Sequence, residues 1–184
     1  SLIFGTVLAL VKSYAPRPFR ILVSAYIELF RCTPNLLWIL FIYFTVQGLD
    51  IVISTIAFTL FTSAVMAEIV RGGLNSIPRG QFEAAQSQGF GFFATMRYII
   101  LPQAMSTSMP AFMANVIFLL KETSVFSAIS LMDLMFTAKD LIGMYSKTIE
   151  CLFLLVAFYL IILLPVSIVG SLIERRLRYA GFGS

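Results

Sequence analysis

Four uncharged apolar runs most restrict what this 184-residue chain can fold into. They are Cys32–Leu49, Ile51–Ala67, Ile99–Leu120 and Cys151–Ile173, each 17 to 23 residues long. About 17–25 apolar residues in a helix cross the hydrocarbon core of a bilayer, so each run predicts a membrane-spanning helix. Only 12% of the residues are charged, about half the proportion found in soluble domains. The chain is therefore predicted to be an all-α membrane protein.

A fifth apolar segment, Ser1–Val11, ends at Lys12. At a helical rise of 1.5 Å per residue it extends about 16 Å, roughly half the hydrocarbon thickness. We interpret it as the second half of a spanning helix, so the expected fold is a five-helix core whose first helix is truncated. Since no repeat or low-complexity linker interrupts the sequence, we expect a single transmembrane domain over residues 1–184.

The residue types and motifs missing from the sequence argue against several functions. The chain has no histidine, which argues against His-ligated metals and histidine-assisted nucleophiles. It has no glycine-rich phosphate-binding motif, and its net charge of +4 is small for a nucleic-acid binder. We therefore expect no metal, cofactor, nucleic-acid partner or enzymatic activity. A secondary transporter and a structural membrane subunit stay open at this point.

Lysine and arginine are distributed unevenly among the segments that connect the predicted spans. They follow the first, third and fifth spans, and they are few after the second and fourth. Because basic residues favour the cytoplasmic side, the N-terminus is predicted outside and the C-terminus in the cytoplasm. The basic residues that carry this assignment are Lys12, Arg17, Arg20, Arg71, Arg79, Arg97, Arg175, Arg176 and Arg178.

Two local patterns lie near the predicted inner ends of the spans. Residues Phe19–Arg31 place apolar and polar positions at helical spacing, which predicts an amphipathic helix. This helix is either interfacial or the start of the second span before Pro34 bends it. Glu68 and Arg71 are three residues apart at the end of the third span and predict either an ion pair with each other or a contact that joins a neighbouring helix. The apolar positions of the amphipathic helix are Phe19, Leu22, Val23, Tyr26 and Phe30.

The interval of about 71–102 is the longest polar stretch predicted on the inner side. Ser76 is placed to cap a helix that starts near Pro78, and Gly89 is placed to end it in a left-handed conformation. Phe93–Tyr98 predicts a second short helix before Pro102 opens the next span. Aromatic side chains left exposed or half-buried here indicate a partner with a matching groove. These side chains are Phe82, Phe90, Phe92 and Phe93.

A motif in this interval resembles the signature loop of importer permeases in ABC transporters. It consists of Glu83-Ala84-Ala85, three residues, Gly89, nine residues, Ile99, one residue, and Leu101-Pro102. Three further strings are similar to those of the polar amino acid permeases of the histidine and glutamine type. They are Glu28–Pro34 (ELFRCTP), Ala67–Leu74 (AEIVRGGL) and Lys121–Ser124 (KETS), with Cys32, Asn35 and Glu122 departing from the usual pattern.

The resemblance implies a type I, MetI-like permease core in a bacterial inner (plasma) membrane. It implies a pair of ATPase subunits that hydrolyse ATP, a second permease that is identical or paralogous, and an extracytoplasmic amino acid binding protein. In that family the loop is a coupling helix that docks on the ATPase. The residues of this chain expected to form the ATPase contact are Gln81, Phe82, Glu83, Ala84, Ala85, Gly89 and Phe90.

Polar groups within the spans or at their ends are candidates for a substrate path. We hypothesise that Glu150, with the hydroxyls of Thr62 and Ser63, contacts the amino or cationic group of a polar amino acid. Lys121 and Glu122 either pair with each other or gate the path. Structural alternatives stay open, since hydroxyls join helices by hydrogen bonds and Glu150 suits the positive end of its own helix dipole.

Overall fold

The computed structural model describes residues 1–46 and 51–177, and most of these residues are helical. A π-helical segment, Met96–Ile100, joins α6 to α7, and a 3₁₀ segment, Thr123–Ile129, follows α7. The α-helices are α1 (Leu2–Tyr14), α2 (Arg17–Arg31), α3 (Asn35–Thr45), α4 (Ile51–Asn75), α5 (Arg79–Ser87), α6 (Phe92–Thr95), α7 (Leu101–Glu122), α8 (Leu134–Tyr145) and α9 (Thr148–Leu177).

Helix α4 is the centre of the bundle and packs against α1, α2, α3 and α7. Many of its buried residues are small, including Ser54, Ala57, Ala64 and Ala67. Small side chains let neighbouring backbones approach closely, which is how helices associate where no water drives them together. By contrast, α9 contacts α7 and α8 and leaves most of its apolar side chains exposed.

Three uninterrupted helical stretches in the described residues are long and apolar enough to cross a bilayer. They are Ile51–Asn75, Phe92–Ile129 and Thr148–Leu177, and they coincide with the third, fourth and fifth predicted spans. Helix α1 is apolar but shorter, as the first segment predicts. The apolar runs of the sequence therefore locate the long helices of the structure.

The second predicted span, Cys32–Leu49, is wrong as a single helix. Helix α3 covers only Asn35–Thr45, and α2 and α3 meet at an angle of 98°. Pro34 explains the break, since it lacks an N–H and disfavours helical backbone at the residue before it. The two helices qualify as a membrane span only when they are taken together as one broken span, which agrees with the alternative in which α2 starts the second span and Pro34 bends it. Gln47–Leu49, the end of the predicted run, lies outside the described residues.

The fourth span begins earlier than predicted. Phe93–Tyr98 is not a separate short helix, because α6 continues through the π segment Met96–Ile100 directly into α7. The π segment ends just before Leu101-Pro102. Pro102 cannot donate to a carbonyl of the preceding turn, so wider hydrogen-bond spacing here lets the helix continue through the proline.

Helix α2 is amphipathic, as predicted, but its buried face differs from the predicted one. Ile27 is fully buried among residues of α1 and α4, with Val23, Tyr26 and Phe30 beside it. Phe19 and Leu22, assigned to the apolar face from the sequence, are exposed. The buried stripe therefore lies toward the C-terminal half of α2, where α2 meets α4.

Candidate functional site

Helix α5 is held between the end of α4 and the start of α6. It begins at Arg79, directly after Pro78, whose backbone is extended. The predicted cap at Ser76 is wrong, because the Ser76 hydroxyl donates to the Gly73 carbonyl at 2.7 Å and does not cap α5. The proline replaces the cap, since its preset φ directs the chain into the helix without needing a donor.

Gly89 ends α5 as the sequence predicts. Its φ is +80°, in the left-handed region where residues with a Cβ are strained. The Phe90 amide donates to the Ala85 carbonyl at 3.0 Å, and the Gly89 amide donates to Gln86 at 2.9 Å. These bonds satisfy carbonyls that the end of the helix would otherwise leave unpaired. The turn therefore has a defined geometry.

One side of α5 packs against the rest of the chain. Phe82 lies against a cluster formed by α4, the π segment and α7, and Ala85 is only 2% exposed. The Gln81 side-chain oxygen accepts from Gln103 at 3.4 Å. Ala85 therefore does not lie on an accessible surface, and Phe82 anchors the helix while remaining partly exposed. The cluster under Phe82 consists of Leu74, Ile77, Met96, Ile100 and Ala104.

The opposite side of α5 is open. Gln81, Glu83, Ala84, Gly89 and Phe90 are exposed, so five of the seven predicted contact residues lie on an accessible surface. Phe92 and Phe93 follow directly, and the Phe93 side chain is 86% exposed. Exposed aromatic rings beside a short rigid helix are typical of a surface that a partner covers. We call this surface, Gln81, Glu83, Ala84 and Gly89–Phe93, the α5 surface.

A charged cluster joins α1 and α4 on the side of the bundle near α5. The Lys12 ammonium lies 2.7 Å from Glu68 Oε1, and Arg71 Nη2 lies 2.6 Å from Glu68 Oε2. The predicted Glu68–Arg71 pair is therefore confirmed. The contact of Glu68 with Lys12 agrees with the alternative of a contact to a neighbouring helix, although the sequence had not identified Lys12 as the partner.

Thr62 and Ser63 lie in the interior of α4 and not on an open cavity. Both are almost fully buried, and their hydroxyls donate to the carbonyls of Thr59 and Leu60. Ser63 Oγ is also 2.9 Å from the hydroxyl of Tyr26, which donates to Leu60 at 2.6 Å. Thr62 bonds only within α4, whereas Ser63 also contacts Tyr26 of α2, so Ser63 alone agrees with the helix-joining alternative.

Glu122 lies where α7 ends. Its Oε1 accepts a hydrogen bond from Asn35 Nδ2 at 3.3 Å, across 87 positions of sequence. Asn35 is buried at the α2–α3 break, and its own oxygen has no hydrogen-bond partner in the described residues. Lys121 is exposed and forms no ion pair with Glu122. The structure thus pairs Glu122 with an amide that sequence reasoning had treated only as a departure from the family pattern.

Glu150 is exposed in the first turn of α9. Thr62 lies eleven residues inside α4, on the order of 16 Å from its start. No hydrogen bond in the described part of the chain joins Glu150 to Thr62 or Ser63. The structure therefore does not bring the three residues together in one site.

The geometry defines a class of protein: the fold is that of a type I, MetI-like ABC importer permease. The chain superimposes with a TM-score of 0.87 on a chain from the crystal structure of an amino acid ABC transporter with histidines, at 33% identity. That alignment covers 95% of this chain and 84% of the other. An inward-facing structure of the MetNI methionine ABC transporter shares the fold, with a TM-score of 0.78 at 18% identity, covering 96% of this chain and 85% of that one.

This chain belongs to the family of binding-protein-dependent transport system inner membrane components, whose profile matches residues 1–179. Among its relatives is the probable glutamine ABC transporter permease protein GlnM of Bacillus subtilis, 33% identical over 96% of this chain and 84% of the relative. Another is the L-cystine transport system permease protein TcyB of the same organism, 34% identical over 96% of this chain and 80% of the relative. The predicted membership in the ABC importer permeases is confirmed, and the secondary-transporter alternative is set aside.

Proposed function

We propose that the chain is the membrane subunit of an ATP-driven importer of polar amino acids and contacts an ATPase through the α5 surface. The observation that carries the proposal is a short helix with one face anchored to the bundle and the other exposed beside unburied aromatic rings. Helix α5 connects α4 to α7. A displacement of α5 by a bound partner is therefore transmitted to both of these helices. The α5 surface belongs to the segment 71–102 of a single transmembrane domain.

The substrate class is supported by the names of similar proteins. The relatives include permeases of glutamine, arginine and L-cystine systems of Bacillus subtilis, which are 32% to 34% identical to this chain. All three compounds carry an α-amino and an α-carboxylate group, so the shared chemistry is that of an amino acid with a polar side chain. We infer that an extracytoplasmic binding protein delivers the substrate and that a second, identical or paralogous permease completes the path.

The ATPase contact is tested by co-purification with the cognate ATPase. We expect Glu83→Arg to reverse a charge on the α5 surface and to reduce ATPase recovery by about tenfold, as loss of a charge-assisted contact does. Gly89→Asp is expected to do the same by straining the turn. Asp140→Arg and Gly143→Asp, exposed positions on α8, are the matched controls. ATPase recovery that survives both α5 changes contradicts the proposal and favours a structural subunit without an ATPase.

The substrate path is tested by uptake with the cognate binding protein. Glu122→Gln and Glu150→Gln are each expected to raise the half-saturating substrate concentration by about tenfold if the carboxylate contacts an ammonium group. Lys121→Gln tests the gating hypothesis, and Thr62→Val with Ser63→Ala tests the two hydroxyls. Asp140→Asn is the control for the loss of a negative charge near the end of the bundle that holds Glu122 and Glu150. Unchanged uptake and selectivity remove the residue concerned from the path.

The orientation is tested by labelling single cysteines with a membrane-impermeant thiol reagent. In a background without Cys32 and Cys151, Lys147→Cys precedes α9 and Ser87→Cys ends α5, and both positions are exposed. We expect Lys147→Cys to react in intact spheroplasts and Ser87→Cys only in inside-out vesicles. The reverse pattern contradicts a cytoplasmic C-terminus.

A further inference from the structure

A cavity of about 850 Å³ lies between α1, α2 and α4. Asn75, the last residue of α4, lines it, so the cavity is close to the start of α5. Its volume is within the range of pockets that hold small molecules. The charged residues of the lining are mainly basic, with four cationic side chains and one acid. The cationic residues are Lys12, Arg17, Arg20 and Arg71, and the acid is Glu28.

The charges around the cavity are not balanced. Lys12 and Arg71 share a single carboxylate, that of Glu68. Arg17 and Arg20 form no ion pair within residues 1–46 and 51–177. Counting Glu28 and Glu68 against the four cations leaves an excess of positive charge. A cavity with this excess attracts an anion, and arginine pairs especially well with the oxygens of a phosphate.

The backbone adds to the positive potential. Helix α2 has 15 residues and begins at Arg17, which lines the cavity. The first amide groups of a helix have no partner within the helix, and the macrodipole places partial positive charge there. Pro16 and Pro18 have no N–H, so the first turn offers only the amides of Arg17 and Phe19, and these add to the arginine side chains as donors to a phosphate.

The exposed side chains of α2 indicate the depth at which the cavity opens. Phe19, Ile21 and Leu22 are exposed on this amphipathic helix, and Ile21 also lines the cavity. Exposed apolar side chains next to arginines suit the boundary between headgroups and acyl chains. These side chains support placing the cavity at the level where a bilayer presents its phosphates.

We propose that this cavity binds a phosphate group, presented by the headgroup of an anionic phospholipid. Basic pockets between membrane helices on the cytoplasmic side are the expected recognition sites for such headgroups. A soluble phosphate compound carries the same chemistry, so the experiment must separate the two sources. The proposal rests on the basic cavity, on the start of α2 and on the proposed cytoplasmic side of this end of the bundle, and it does not require the ATPase contact of the α5 surface.

The test is a lipid titration of the chain in its assembled complex, followed by native mass spectrometry. Phosphatidylglycerol is the anionic probe, phosphatidylcholine of the same chain length is the neutral probe, and inorganic phosphate is the soluble competitor. We expect phosphatidylglycerol to bind more tightly than phosphatidylcholine and its affinity to fall as salt is raised. Strong competition by inorganic phosphate, with no preference for phosphatidylglycerol, assigns the cavity to a soluble phosphate instead and overturns the lipid source.

Variants locate the binding at the cavity. We expect the double change R17Q/R20Q to weaken phosphatidylglycerol binding by about 10- to 30-fold, since each basic residue near an anionic surface contributes on the order of a factor of five. R17K/R20K keeps the charge and is expected to retain most of the affinity. R175Q/R176Q removes an exposed basic pair at the end of α9, outside the cavity, and is the matched control.

Three results overturn the proposal. The first is phosphatidylglycerol affinity that is unchanged in R17Q/R20Q, and the second is an equal loss in R175Q/R176Q. The third is lipid binding that is unchanged in R17Q/R20Q while a subunit no longer co-purifies with this variant. That result would assign the cavity to an acidic side chain of a partner. Should R17Q/R20Q fail to fold, the single changes R17Q and R20Q make the same test, and affinity for phosphatidylglycerol that is unchanged in both overturns the proposal.

Discussion

The ammonium of Lys12 lies 2.7 Å from the carboxylate of Glu68, across 56 positions of sequence. The same carboxylate accepts from Arg71, one turn further along α4. One acid thus joins the last turn of α1 to the inner part of α4. Lys12 and Arg71 both pair with this one carboxylate. Its removal therefore affects α1 and α4 at once.

Glu68→Gln is expected to lower the free energy of unfolding by about 1–3 kcal/mol, because it leaves two partly buried cations without their counter-ion. Unfolding in mixed detergent micelles, followed by circular dichroism, measures the change. Glu28→Gln removes an exposed acid from the neighbouring helix and is expected to change stability by less than about 0.5 kcal/mol. Equal effects of the two substitutions would show that the shared carboxylate has no special role.

Gly73→Ala is expected to destabilise the packing of α4 on α7 by about 1–3 kcal/mol, as overpacking of a tight contact does. A Cβ at Gly73 would lie 2.7 Å from the Ala104 carbonyl oxygen and 2.8 Å from Ser108 Cβ. The control is one residue away, since a Cβ at Gly72 meets nothing within 4 Å. Gly72→Ala is expected to be neutral or slightly stabilising, and the same micelle unfolding measures both variants. A cost at Gly72 that matches the cost at Gly73 would contradict the close approach.

Gly89→Ala is expected to destabilise the turn after α5 by about 1 kcal/mol, because φ = +80° is unfavourable for a residue with a Cβ. Hydrogen exchange at the Phe90 amide reports the turn directly, since that amide is bonded to Ala85. A cost of this size raises the exchange rate by about fivefold. Gly91 has a φ of −71° and open space around it, so Gly91→Ala should leave exchange at Phe90 unchanged.

Asn35→Asp is expected to lower the free energy of unfolding by about 1–3 kcal/mol, because it replaces a donor to Glu122 with a second carboxylate. Adding Glu122→Gln restores a donor and acceptor pair and should recover most of the loss. The unaltered protein, the two single variants and the double variant form a double-mutant cycle. The cycle gives the coupling free energy between α3 and the end of α7. Additive effects would mean that the 3.3 Å contact is not energetically significant.

The long helices α4, α7 and α9 were predictable because hydropathy is a local property that every residue of a run shares. The left-handed turn at Gly89 was predictable for a related reason, since a glycine directly after a short helical segment commonly ends that helix in the left-handed conformation. The Glu68–Arg71 pair followed from helical periodicity alone. Each of these predictions depends only on residues within a few turns of one another.

The wrong predictions are those in which packing and hydrogen bonding in the whole fold override the structural preference of the local sequence. The run Cys32–Leu49 is uncharged and long enough to span, yet Pro34 and the buried Asn35 divide it, and α2 turns away at 98°. Ser76 is a good capping residue, but its hydroxyl bonds back into α4. Thr62 and Ser63 stay a prediction, since the sequence leaves both a substrate path and hydrogen bonding within the bundle open for them.

The sequence by itself determined that this chain is a membrane protein, where its long apolar helices lie and which permease family it resembles, because hydropathy and motif spacing are carried by neighbouring residues. Only the tertiary structure decided which polar groups meet: Lys12 with Glu68, Asn35 with Glu122, and four basic residues around one cavity. Such contacts depend on the packing of helices far apart in sequence. A hydrogen bond is selective to within about an ångström, and no linear pattern specifies that distance.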